Sequence, residues 1–377
     1  MFTSPMIKSP FFLQAGLALM LAGCAAPKAE NLHHEMKVVP GTQPGTAGRV
    51  IKAAVITDTV QFDSDDPAVW VNPKNPAKSL IIGTDKDAQG GLYVFDLEGK
   101  IIPEKTVKNL QRPNNVDVEY GLLLNGKPTD IAVATERMTH KLRIFSVPDM
   151  KPIDKGGLDM FVGETGEGYR DLMGVSLYKN KAGKIYAIVG RKVGPQDGTY
   201  LWQYLLEDDG TGHVKATLVR KFGDYSGKKE IEAIAVDDAL GYVYYSDEGL
   251  GVRQYFADSE KGNKQLALFA TKDFTRDHEG ISIYALTDST GYILVSDQEA
   301  NRFMIFTREG TAANPYEHRF IKSVNVSAIN SDGSETVALP LGKKFKHGLF
   351  VAMSTDKTFH LFRWEDMAGN DLMMISK

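Results

Sequence analysis

Leu92-Tyr93-Val94-Phe95-Asp96, Leu142-Arg143-Ile144-Phe145-Ser146, Leu201-Trp202-Gln203-Tyr204, Val252-Arg253-Gln254-Tyr255, Phe303-Met304-Ile305-Phe306 and Phe359-His360-Leu361-Phe362 are six versions of one phrase. Each carries a closing aromatic residue, and from Phe95 to Phe362 these aromatics fall 50, 59, 51, 51 and 56 residues apart. Ahead of each phrase lies a more continuous apolar run: Leu80–Gly83, Ile131–Ala134, Ile185–Val189, Tyr242–Tyr245, Tyr292–Val295 and Leu349–Ala352. Ahead of that lies a third run: Ala68–Val71, Val116–Val118, Val175–Tyr178, Ile234–Val236, Ile281–Tyr284 and, less clearly, Val337–Leu339. Short runs rich in Val, Ile, Tyr and Phe, bounded by Gly, Asp and Asn, signal strands. No long stretch keeps a 3.6-residue period, so helices should be few. A unit of this length with three or four strands predicts a propeller blade. The chain is therefore expected to be all-β, a six-bladed β-propeller spanning residues 51–377. A pair of β-sandwiches would not repeat one phrase so regularly.

The residues before the propeller read differently. Lys8 supplies a short basic region, and the apolar run Phe11–Ala22 is too short to span a bilayer. Leu21-Ala22-Gly23-Cys24 then places small residues directly before the chain's single cysteine. That pattern predicts a lipoprotein signal peptide over residues 1–24, with Cys24 lipidated and the chain exported and anchored to a bacterial cell envelope. With one cysteine there is no intramolecular disulfide to form. Residues 25–50 lack hydrophobic periodicity and are expected to be a flexible linker, in which His33-His34 read as linker composition, not a metal site. The net charge of −4 becomes one unit more negative once Lys8 is removed. With no basic stripe in the chain, a nucleic-acid partner is not expected.

Strand polarity gathers the polar residues. The innermost strand of a blade and its neighbour run antiparallel, so the start of one and the end of the other emerge on the same face. At the starts stand Asp65-Asp66, Asn114-Asn115 with Asp117, Asp171, Glu230 with Glu232, Glu279, and Asp332 with Glu335. At the ends of the second strands stand Asp85-Lys86, Glu136-Arg137, Arg191-Lys192, Asp247-Glu248, Asp297-Gln298, and Ser354 with Asp356. Like charges packed this closely repel unless a cation sits among them. A donor set of Asp, Glu, Asn and Gln suits calcium, which takes six to eight oxygen ligands. With no cysteine at this rim and His278 the only histidine beside a rim acid, zinc and copper are disfavoured. The cations fall in the first three blades, where Lys86, Arg137, Arg191 and Lys192 suit a ligand bearing several phosphates.

The segments Asp65-Asp66-Pro67-Ala68-Val69-Trp70, Asn114-Asn115-Val116-Asp117, Leu124-Asn125-Gly126-Lys127, Gly174-Val175-Ser176-Leu177-Tyr178, Glu279-Gly280-Ile281-Ser282-Ile283-Tyr284 and Gly348-Leu349-Phe350-Val351-Ala352 occur in that order. In this the chain resembles the β-propeller phytases from about residue 55 to its end. The resemblance implies six blades and a calcium-dependent hydrolysis of phytate, myo-inositol hexakisphosphate, with lower inositol phosphates as further ligands. It implies that Asp66 and the backbone around Pro67 and Val116 hold structural calcium. Glu232, Asp247, Glu279 and an acid of the Asp332–Glu335 turn would hold the calcium ions that touch substrate, with Asp65, Asn115, Asp117 and Glu248 as further ligand candidates. Lys86, Arg137, Arg191 and Lys192 would grip phosphates, and Gln298 stands where the family also has glutamine. The chain departs from the family at Met173, where a tyrosine is common, at Met353, where glutamine is usual, and in Ile231-Glu232-Ala233 and Asp332-Gly333-Ser334-Glu335, where side chains change while the charges stay.

No nucleophile elbow or phosphatase cysteine motif is present, so the expected chemistry is attack by metal-activated water. Lys86 and Arg137 would stabilise the developing charge together with the metal ions, which the catalytic-site acids Glu232 and Glu279 would hold. The expected molecule is a monomer that meets the membrane through its lipid alone. Two other readings keep the same fold: a metal-dependent lactonase, which needs few cations at its site, and a non-catalytic phosphate-binding propeller of the envelope.

Overall fold

The computed structural model describes Met1, residues 36–41 and residues 48–376. Cys24, the signal peptide and His33-His34 lie outside the described residues. Six antiparallel sheets follow one another along the chain. From the axis outward, blade 1 is Ser64–Trp70, Leu80–Asp85, Gly90–Phe95 and Val107–Leu110. Blade 2 is Pro113–Leu124, Lys127–Glu136 and Lys141–Val147, with Lys151–Pro152 and Leu158–Asp159 on its outer edge. Blade 3 is Leu172–Lys179, Ile185–Arg191, Leu201–Asp208 and Val214–Phe222, and blade 4 is Ile234–Asp237, Tyr242–Asp247, Gly251–Phe256 and Ala267–Phe269. Blade 5 is His278–Ala285, Gly291–Asp297, Arg302–Thr307 and Phe320–Val326. Blade 6 is Ser334–Val337, Leu349–Ser354 and Thr358–Arg363. The six-bladed all-β expectation is met. In blade 6 the inner strand begins three residues before the apolar run that had marked it.

The ring closes by sharing blade 6 between the two ends of the chain. Val55–Ile56 pair antiparallel with Leu361 and His360 and become the blade's outermost strand. Val50–Ile51 add to the edge of blade 5 in parallel, opposite Asn325 and Val326. Lys37–Pro40, within the stretch expected as flexible linker, pair antiparallel with Met373–Ser376. These three segments are two to four residues long, too short to show a period.

The repeated aromatics Phe95, Phe145, Tyr204, Tyr255, Phe306 and Phe362 are all buried and pack into the apolar layers between blades. Burying an aromatic ring of this kind supplies about 1.5–3 kcal/mol each, repeated around the ring. Among the described residues the only α-helix is Trp364–Ala368. Its Trp364 ring stacks 3.6 Å from Tyr284 at the end of the blade 5 inner strand.

Two devices position the face where the inner strands start. Four of these strands break register at their first turn of pairing, between Ser64 and Pro67, Pro113 and Val116, Leu172 and Val175, and His278 and Ile281. Such bulges re-aim side chains, and the residues they hold are Asp65-Asp66, Asn114-Asn115, Met173-Gly174 and Glu279-Gly280. Adjacent starts also press backbone on backbone. A Cβ on Gly174 would stand 2.0 Å from the Glu232 carbonyl oxygen, and one on Gly333 2.6 Å from the Asp66 Cα, so only glycine fits at either place.

Candidate metal and phosphate site at the channel mouth

The end of the second strand follows one rule in all six blades. The first residue of each terminal pair turns back into its own blade and holds the loop leading to the inner strand. Asp85 accepts from the Phe62 and Asp63 amides at 3.0 and 2.7 Å, and Glu136 accepts from the Gln111 amide at 2.8 Å. Asp247 accepts from Ser226 N and Oγ at 2.9 and 2.6 Å, Asp297 from the Thr275 amide at 2.9 Å, and Ser354 Oγ from the Ile329 amide at 3.1 Å. Arg191 does the same as a donor, to the Tyr169 carbonyl at 3.2 Å and Glu164 at 2.9 Å. The second residue faces the channel mouth, and its amide bonds a carbonyl of that same loop. Lys86 bonds Asp63 at 2.6 Å, Lys192 bonds Asp171 at 2.7 Å and Glu248 bonds Glu230 at 3.2 Å.

This alternation corrects two expectations. Arg191 is 0 % exposed, and its guanidinium also donates to the Tyr200 and Thr199 carbonyls at 3.0 and 2.9 Å and lies over the Phe161 ring, so it is a core residue and not a phosphate ligand. Asp247 is likewise enclosed, held by Ser226 and by Arg253 Nε at 2.8 Å, and stands apart from the glutamate cluster of the mouth. Its neighbour Glu248 is the one that joins that cluster.

The mouth itself carries charges in two halves. In blades 4 and 5, Glu232, Glu248 and Glu279 bring one carboxylate oxygen each to within 4.8 Å of one another. Glu279 Oε2 is buried without a hydrogen-bond partner. Burial, followed by repulsion from Glu248 and Glu232, holds the Glu279 carboxyl well above its usual range. Burial and Glu232 push Glu248 up to about 9. Across the mouth, Lys86 contacts Asp65 and lies 3.5 Å from Asp332 and 3.9 Å from Glu232. Burial alone would depress this lysine, but the three carboxylates outweigh it and keep it protonated. Gln298 donates to Asp332, which burial pushes up to about 6.

The remaining cations stand in blades 2 and 3. Arg137 Nε donates to the Leu172 carbonyl at 3.2 Å, and its guanidinium touches the Met173 sulfur. Met173, at the place where the resemblance leads to a tyrosine, therefore backs the arginine. Burial lowers the Arg137 pKa, and the nearby Arg112 adds to this against the pull of Glu232. The guanidinium is thus poorly supplied with anionic partners. Lys192 pairs with Glu230 at 3.0 Å, both partly in solvent.

The expected metal ligands divide into two groups. Asp65, Glu232, Glu248, Glu279 and Asp332 are at the mouth. Asp66, Asn115, Asp117 and Glu335 lie further down and line a cavity of about 130 Å3 to which all six inner strands contribute. There Asp66 accepts from the Val116 amide at 3.0 Å, and Asp117 accepts from Ser176 Oγ and the Leu177 amide at 2.9 and 2.7 Å. Burial raises the pKa of Asp66, Asp117 and Glu335, and Asp117 repels the other two. No lysine or arginine lines this cavity, and Asn115 Oδ1 has no partner. In both groups buried oxygens outnumber the cations the chain supplies, which is the condition a hard divalent ion satisfies.

One residue placed at the rim by the sequence had been given no role of its own. Asn114 Nδ2 donates to Glu232 at 3.1 Å and lies 3.5 Å from Asp65, tying the two halves of the mouth together. Its signal was its place, equivalent to Asp65, at the bulge of the next blade.

A family model described as Phytase matches residues 24–366. The 3-phytase of Bacillus subtilis (strain 168) is 30% identical over 379 residues, covering 94% of this chain and 91% of that protein. Among solved structures, the Dos1 propeller aligns with a TM-score of 0.41 at 9% identity, over 79% of this chain and 66% of that one, just under two thirds of its length.

Proposed function

The chain belongs to the phytase family, and on that premise we propose that it releases phosphate from phytate and lower inositol phosphates at the mouth of the channel, with calcium bound among the rim carboxylates. One observation carries this reading. Glu232, Glu248 and Glu279 converge within 4.8 Å with a single cation of the chain at their edge, Lys86 at 3.9 Å from Glu232, while Arg137 and Lys192 stand on blades 2 and 3. The donor set of the three glutamates, the orphaned Glu279 Oε2 and the raised carboxyl pKa values fit a hard divalent ion. When bound there, calcium would cancel the charge of a phosphate group and raise the acidity of water beside it.

The other steps belong to the chain's own residues. Arg137, short of anionic partners, binds a phosphate oxygen through the guanidinium edge not used by Leu172. Lys86 stays protonated and can exchange Asp65 and Asp332 for substrate oxygens once those acids are otherwise neutralised. Lys192 holds Glu230 in a half-exposed pair of the kind that contributes little, so releasing it to a neighbouring phosphate costs about 1 kcal/mol or less. These three cations lie on successive blades, so a substrate with phosphates on adjacent ring carbons can engage more than one. That added binding positions the scissile phosphate. The site supplies more cations than a lactone would use.

Support for export and a lipid anchor is the tetrapeptide Leu21-Ala22-Gly23-Cys24 and the apolar run before it. The functional test is phosphate release from phytate by purified protein, with calcium and with excess chelator. Release that appears with calcium and stops with chelator is expected. Phosphate release unaffected by chelator, or none in either condition, would overturn the reading.

A further inference from the structure

We propose that the face of the propeller opposite the catalytic mouth carries a docking surface for anionic phospholipid, which sets the molecule on its membrane with the mouth facing away. The proposal rests on the lipid-anchor reading for its geometry but has its own observations. In each blade the inner strand starts at the mouth, so the loop joining it to the second strand lies at the other end. In blade 6 that loop contains Lys343 and Lys346, both exposed. They line one open groove of about 660 Å3 together with Arg49, Val50 and Lys52. Six of the groove's residues are basic and two, Glu365 and Asp366, are acidic. Lys344 is satisfied by Glu98, and Arg363 by Asp366 at 2.7 Å. Arg49, Lys52, Lys343 and Lys346 have no acidic partner among the described residues. Val50 is 54% exposed in their midst, an aliphatic group ringed by cations.

The route of the chain brings this groove to a bilayer. The strand Lys37–Pro40 pairs with Met373–Ser376, and Ile375 of that ribbon bonds Tyr284 Oη at 3.3 Å and His347 Nδ1 at 2.6 Å. Tyr284 ends an inner strand and His347 belongs to the loop of Lys343 and Lys346, so the ribbon is seated on the same face. Only eleven residues lie between Cys24 and Met36, and a fully extended chain over those twelve steps reaches at most about 40 Å. A lipid on Cys24 would therefore keep Met36, at the start of that ribbon, within about 40 Å of the bilayer. A cationic groove with an exposed aliphatic residue complements anionic headgroups there. The opposite orientation would turn the phosphate-binding mouth toward a surface that repels phytate.

The test uses the full-length chain carrying Cys24→Ala, so that no lipid obscures the surface, and vesicles of phosphatidylcholine with or without phosphatidylglycerol. The leader, with its basic Lys8, is common to parent and variants, so the change between them reports the groove. Cosedimentation should favour the phosphatidylglycerol vesicles and weaken with salt. Each cation near an anionic leaflet is worth about fivefold in partition. Arg49→Glu/Lys52→Glu/Lys343→Glu/Lys346→Glu should thus lose about 600-fold or more of that preference, with phytate hydrolysis unchanged. Should that variant melt early, Lys343→Gln/Lys346→Gln should still lose about 25-fold. Equal binding of the parent to both vesicles, or a preference that the substitutions leave undiminished, overturns the proposal. The anchor reading fails separately, if wild type and Cys24→Ala partition alike into detergent.

Discussion

Asp237 and Glu279 are both buried carboxylates on inner strands of adjacent blades, and the chain treats them in opposite ways. Asp237, at the end of its strand, receives both arms of Arg308, with Nε at 2.6 Å and Nη2 at 2.7 Å. Arg308 is itself 2% exposed and also donates to the Thr287 and Thr290 carbonyls. Glu279, at the start of its strand, has two glutamates for neighbours and one oxygen with no partner. A fold that builds a closed ion pair for one buried acid has no steric need to gather three others with one lysine 3.9 Å from their edge. The difference teaches that the chain itself leaves this part of the mouth short of positive charge.

Breaking the closed pair should have the largest effect on stability. Arg308→Met leaves Asp237 charged and buried without its partner, which should cost about 3–5 kcal/mol in chemical denaturation. The remaining folded protein should hydrolyse phytate normally. Glu279→Gln should do the reverse. Activity at limiting calcium should fall by about 100-fold or more, since even the partners of metal ligands are worth 10–100-fold. Melting in excess chelator should rise, because an acid that can be buried there only by taking up a proton has gone.

Arg137→Ala removes a charge-assisted contact to phosphate and should lower kcat/KM for phytate by roughly 10- to 150-fold. The calcium needed for half-maximal activity should stay near that of wild type, which separates this cation from the glutamates. Unchanged kinetics would remove Arg137 from the site.

The smallest effect is one of pH. In the folded chain Glu248 holds its proton up to about 9, whereas an ordinary glutamate titrates near 4.5. Between these values the folded chain binds more protons than the unfolded one, so metal-free stability should fall as pH rises through that window. Calcium requires the ionised carboxylates, so its stabilising shift should grow over the same range. Melting curves from pH 5 to 9, with chelator and with calcium, read both slopes.

The repeat of Phe95, Phe145, Tyr204, Tyr255, Phe306 and Phe362 made the blades legible, because each aromatic packs between sheets and every blade needs one. The polar face was legible from strand direction. What escaped was parity. Asp247-Glu248 and Arg191-Lys192 read as doublets of equal standing, yet the period of two continues past the strand end and sends only Glu248 and Lys192 to the mouth. The bulges that seat Asp65-Asp66 and Asn114-Asn115 leave no mark in composition, since a bulge is a property of pairing. Closure by Val55–Ile56 depends on a partner some 300 residues away, which two residues cannot announce.

Glu232, Glu248 and Glu279 are proposed to form a cation site because the chain sets only one lysine, Lys86, beside the three of them. Calcium titration calorimetry of the wild type and of Glu232→Gln/Glu248→Gln/Glu279→Gln tests it directly. At least one fewer calcium ion should bind to the variant, with the binding at the Asp66, Asp117 and Glu335 cavity retained. The same number of ions bound with the same affinity by both proteins would contradict it.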